Sequence, residues 1–165
     1  MRYLIYLIFS FILFVFPFCS KAQTNTDSKI EELSQQVDSL TNRIDYIKMS
    51  YDVYVLTTDL KLFTQELNSY IKDMTISIYH NGCNRELYRV YSSLYDEYRK
   101  NLDQKKKLIE AAQRYCIALM ITKNWSEEEC EEFTMRFDYA EGCYSQANTT
   151  LDGMKTVLDH YHTRI

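Results

Sequence analysis

Past Pro17 the sequence contains no proline, and its glycines number only three, Gly82, Gly142 and Gly153. Those two residue types supply most of the turns that chop a chain into short elements. A β-sandwich of this length needs a turn every 8–12 residues, and the residues to build such turns are missing. The sequence therefore predicts an all-α protein made of a few long helices.

Hydrophobic spacing gives those helices their faces. Ile30, Leu33, Val37, Leu40, Ile44, Ile47, Tyr51 and Tyr54 recur at alternating steps of three and four, which is a heptad seam. β-Branched residues at its a positions and mostly leucine at d favour a two-stranded parallel coil. The flanks do not reinforce that choice, because Arg43 of one helix faces Lys48 of a parallel partner. Ser28 with Glu31 has the spacing of a capping box at a helix start.

Near Tyr54 the phase shifts to Val53, Leu56, Leu60, Phe63, Leu67, Tyr70 and Met74. Such a shift turns a different face inward and places a boundary at about residue 56. Gly82 in "HNGC" suits a left-handed helix end. A third pattern carries Leu87, Tyr91, Leu94, Tyr98 and Leu102, then Leu108, Ala112, Cys116 and Leu119, with a break expected near Asp103 in "KNLDQKKK". The last pattern runs from Cys130 through Phe133, Phe137, Ala140, Tyr144, Ala147, Leu151, Met154 and Leu158 to Ile165. The architecture read from these patterns is a set of long antiparallel helical hairpins, residues 57–165, preceded by a coiled-coil stalk, residues 23–56.

The first 22 residues have a different character. Arg2 precedes an apolar run from Leu4 to Phe18, and Ser20 and Ala22 place small residues before a cleavage point at Gln23. That is the pattern of a signal peptide, and the run falls short of a comfortable membrane span. The expectation is cleavage and export to a periplasmic or extracellular space, with membrane attachment only through an uncleaved signal. Segment 1–22 carries Arg2 and Lys21 and no acid, so two of the 19 basic residues leave with it; 17 basic against 23 acidic residues remain, a formal charge of −6. A mildly acidic chain without a dense basic stripe is a poor candidate for binding nucleic acid or anionic lipid, and no nucleic-acid partner is expected.

Four cysteines follow the signal: Cys83, Cys116, Cys130 and Cys143. An even number in an exported chain points to disulfides. In "NWSEEECEEF", Ser126 and Glu129 have capping-box spacing, and Glu127 and Glu128 fall in a first helical turn, where negative charge is favoured. Cys130 then opens the last apolar stripe. Cys116 and Cys130 flank the turn at similar depth and are expected to pair. Cys83 and Cys143 fit no straight hairpin, so a bent helix, a bridge between chains and reduced thiols all stay open for them.

No catalytic motif stands out. There is no nucleophile elbow, no "HExxH" and no glycine-rich phosphate loop. A lone thiolate among glutamates mixes soft and hard ligands and makes a poor metal site. His160 and His162 diverge on a helix, and His80 has no companion ligand pair. The sequence is read as non-enzymatic, without metal or cofactor. "ELYRVYSSLYDEY" places Tyr88, Tyr91, Tyr95 and Tyr98 along one side of the third pattern. Such a row packs at a seam edge or forms a protein-binding face.

In architecture, the signal followed by hairpins resembles small exported helical proteins of bacterial envelopes, hairpin chaperones among them. The functional expectation is an envelope interaction or scaffold protein that self-associates through Ile30, Leu33, Val37, Leu40, Ile44 and Ile47 and binds a protein partner. The alternative is a periplasmic holdase or inhibitor gripping a protein client between helices.

Overall fold

The computed structural model describes residues 2–82 and 84–162, with side chains described from Thr26 onward except that of Asn81. Three helices follow one another: α1 (Arg2–Asn81), α2 (Arg85–Lys123) and α3 (Glu127–His162). No strand occurs among the described residues, so the protein is all-α. The chain divides into two compact units, residues 1–45 and 46–165.

The first unit belongs to α1. The helix runs through Ser28 and does not begin there; no proline or glycine between residues 18 and 81 interrupts it. Among the described residues no helix is long and apolar enough to cross a membrane. The side chains of segment 1–22, on which the expected signal peptide rests, lie outside the described residues.

The second unit is a three-helix bundle. Tyr98 meets Glu66 and Lys105 meets Asp59, so α2 runs antiparallel to α1. Gln113 meets Glu141 and Arg99 meets Asp152, so α3 runs antiparallel to α2. Tyr46 packs on Phe133, and Lys61 lies over Tyr139, so α1 and α3 are parallel. The core is the union of the three stripes read from the spacing. It contains Val53, Leu60, Phe63, Leu67 and Met74 from α1, Tyr98 and Leu102 from α2, and Phe133, Phe137, Leu151 and Leu158 from α3. Met49 is buried as well, so α1 joins the bundle before the phase shift near Tyr54 and shows two faces over residues 46–54.

Each connection is made by local chemistry. Gly82 adopts a φ of 67°, the left-handed conformation that suits a helix end. Asn84 caps α2 by accepting a hydrogen bond from the Leu87 amide at 2.8 Å. Asn124 ends α2 with a φ of 55°, and its amide bonds the Met120 carbonyl. The second capping box forms as the spacing predicts: the Ser126 amide donates to Glu129 Oε2 at 2.9 Å, and the Glu129 amide donates to Ser126 Oγ at 3.2 Å.

The break expected near Asp103 does not occur, and α2 is continuous. Leu102 and Ile109 are both buried, and Lys105 occupies the seam position between them. Its side chain is only 12% exposed, and its ammonium reaches out to Asp59. A lysine stem covering apolar surface while its charge stays at the rim is snorkelling. Leu108, read as a seam residue, is instead 55% exposed, because the buried stripe passes through Ile109.

Candidate functional site

The largest departure from ordinary packing lies on α1. In the first unit Ile30, Leu33, Val37, Leu40 and Ile44 stand 59–64% exposed, and in the bundle unit Ile47, Tyr51 and Tyr54 stand 59–65% exposed. Single exposed apolar residues are common, whereas a regular series in one heptad phase is not. In the bundle unit this face lies opposite buried Met49 and Val53. The bundle's own helices therefore occupy the other side of α1 and leave Ile47, Tyr51 and Tyr54 uncovered.

The tyrosines of α2 have a different environment. Tyr98 is buried, donates a hydrogen bond to Glu66 at 2.8 Å, and meets Phe63 and Tyr70 edge-on. Burial, then the Glu66 carboxylate, raises its pKa. Tyr88, Tyr91 and Tyr95 are half-buried and pack against the core. Tyr88 stacks on His162 at 4.6 Å, and the Tyr95 hydroxyl accepts from Arg99, which also reaches Asn148 and Asp152. All four pack in or against the core, and Tyr88, Tyr91 and Tyr95 keep part of their surface exposed.

The cysteine expectation needs a correction. Cys116, Cys130 and Cys143 are free thiols. α2 ends at Lys123 and α3 starts at Glu127, which puts the residue opposite Cys116 near position 134, and Thr134 shares a groove lining with Cys116. Cys130 is a full turn away, about 6 Å along the axis. Added to the spacing of packed helices, that exceeds the roughly 7 Å between α-carbons that a disulfide spans. The similar-depth reading fails because α2 extends to Lys123 and α3 starts at Glu127. Burial pushes the Cys116 thiol up to about 11, which makes it a packing residue. Cys83, with its pairing to Cys143, lies outside the described residues.

A polar cluster sits at the end of the bundle where α3 begins. Tyr46 donates to Glu132, which also accepts from Arg136. Trp125 stacks on Phe133 at 5.1 Å, and Tyr46 stands edge-on to both rings. Burial, then the Glu132 carboxylate, pushes the Tyr46 hydroxyl up to about 12. The hydrogen bonds from Tyr46 and Arg136 hold Glu132 below the usual carboxylate value. This cluster closes the bundle end.

One groove lies between α2 and α3, with a volume of about 480 Å³ and a floor that includes Cys116, Met120 and Phe137 beneath Glu110, Arg114 and Asp138. Among the described residues no group of three histidine, cysteine or acidic side chains is placed to hold a metal ion. No family model, no curated protein and no solved structure matches this chain.

The three-and-four spacing alone singles out the exposed series on α1. What it missed is that Met49, and beside it Tyr46, belong to the bundle. Both are off the heptad seam, so a single-phase reading passes over them.

Proposed function

We propose that this is an exported, non-enzymatic helical interaction protein of the bacterial cell envelope, which self-associates through a coiled coil on the Ile30–Tyr54 face and serves as a scaffold for a protein partner. The signal-like start supports export. The observation that carries the reading is the exposure of eight apolar residues in one heptad phase. A standard stable protein contact takes about 800 Å² from each partner, and a regular series of exposed apolar residues is the kind of surface that supplies it. An isolated helix with that face in water is marginal on its own, and pairing removes the apolar strip from solvent.

Sedimentation of the purified protein over a range of concentrations tests this. The unaltered protein is expected to associate reversibly, and Leu33→Asp with Leu40→Asp is expected to leave a folded monomer. A protein that stays monomeric at the highest concentration reached overturns the proposal.

The groove between α2 and α3 favours a second reading, a holdase or inhibitor that grips a protein client. Its apolar floor is partly open, and its volume falls in the range of ligand-binding clefts. This reading expects suppression of client aggregation at near-stoichiometric ratio, and Ile117→Glu, at the groove wall, is expected to abolish it.

A further inference from the structure

The exposed face of α1 does not end at the edge of the helix. On α3, Glu128, Met135 and Tyr139 are spaced by seven and four and share one face. All three are exposed, Met135 at 64% and Tyr139 at 56%. This face borders α1: Lys61 lies 4.8 Å over the Tyr139 ring, and Glu132, on the same side of α3, accepts from Tyr46. The opposite flank of α3 meets α2 through Glu141 and Asp152. The stripe therefore runs along one flank of the uncovered Ile47–Tyr54 surface.

The other flank of that surface carries Lys48, Val55 and Leu62, spaced by sevens. Val55 is 43% and Leu62 58% exposed, although both lie in the bundle unit. In a parallel two-stranded coil each helix sets this flank against the opposite flank of its partner. For a second copy of this chain, that brings the partner's Lys48, Val55 and Leu62 onto the side where α3 stands.

We infer that the docking surface for a second copy is composite: the α1 face, together with the α3 stripe Glu128, Met135 and Tyr139, receives the Lys48, Val55 and Leu62 row of a parallel, in-register partner. The inference rests on the self-association proposed above and names the part of the bundle that takes part in it. Two observations select a second copy as the occupant. One is area: a single helix face is narrow, whereas lasting homodimers bury on the order of 2,000 Å² or above in total. Met135, Tyr139, Val55 and Leu62 supply further apolar surface in the right place. The other is charge: a bare coil sets Arg43 against Lys48, whereas the first turns of α3 bring the Glu128 carboxylate to the partner's Lys48. Electrostatic complementarity of this kind fixes register and orientation.

Sedimentation of the full protein and its variants, with circular dichroism to confirm unchanged helicity, tests the composite surface. Met135→Ala with Tyr139→Ala is expected to weaken the dimer by about tenfold or more. Lys48→Glu and Glu128→Lys are each expected to weaken it, and their combination to recover most of the loss. Fluorescence transfer between labels at the same position near residue 33 is expected to be strong, as a parallel arrangement requires. If Leu33→Asp with Leu40→Asp dissolves the dimer while the α3 variants leave it unchanged, the composite surface is wrong and the coil stands alone. Failure of the charge exchange to recover, or labels held far apart, overturns it as well. A protein that never dimerises overturns the self-association itself.

Discussion

Tyr98 shows how one side chain carries both packing and polarity. Its ring fills the space between Phe63 and Tyr70, and its hydroxyl reaches Glu66. Tyr98→Phe removes only the hydrogen bond and is expected to cost about 1 kcal/mol in a denaturant titration. Tyr98→Ala also leaves a cavity and is expected to cost roughly 3–5 kcal/mol. Tyr46 and Tyr98 also set an alkaline limit. Both titrate higher in the fold than the ordinary 10.0, so the fold favours their neutral forms. Their contribution is complete below pH 10 and is lost as pH rises through the folded values, about 12 for Tyr46. The melting temperature is therefore expected to hold between pH 7 and 9 and fall above 10, with a shallower fall in Tyr46→Phe/Tyr98→Phe. The Cys116 thiol, 1% exposed and raised by burial, is expected to react with iodoacetamide at least tenfold more slowly than half-buried Cys130, as peptide mapping would show.

At the scale of the element, glycine's meaning depends on where it stands. Gly82 holds a positive φ at the end of α1, so Gly82→Ala is expected to lower stability by about 1 kcal/mol. Gly142 and Gly153 lie inside α3, and a methyl group at either meets no atom within 4 Å. Gly142→Ala and Gly153→Ala are expected to raise stability by up to about 1 kcal/mol each. Thermal melts of the three variants distinguish the two cases by sign. Much of the fold was legible in the sequence at this scale, because α3 and the later part of α1 bury the stripes that three-and-four spacing marks. The misreadings have separate causes. Lys105 counts as polar in any pattern, yet its stem fills a core position in α2. Met49 was hidden because one stretch of helix serves two faces. The cysteine pairing required the helix ends to within one turn, and local patterns fix ends less well than faces.

For the whole molecule, the face singled out by the spacing stayed exposed, but its neighbour on α3 was invisible in sequence. Met135 and Tyr139 lie off the α3 seam, and only the register of α1 against α3 brings Tyr139 beneath Lys61. If the first unit is covered only by association, trypsin is expected to cut at Lys29 and Arg43 in dilute protein and much more slowly in concentrated protein, with a bundle fragment surviving in both. Mass spectrometry of the digest reads both outcomes. Residues 46–54 add a thermodynamic consequence: Met49 and Val53 are locked into the bundle while Ile47, Tyr51 and Tyr54 face outward on the same two turns. Those turns cannot melt without giving up both sides at once. Whatever seats on the outer side draws the folding equilibrium toward the native state by mass action, so heat resistance should climb with protein concentration even though no bond inside the bundle has changed.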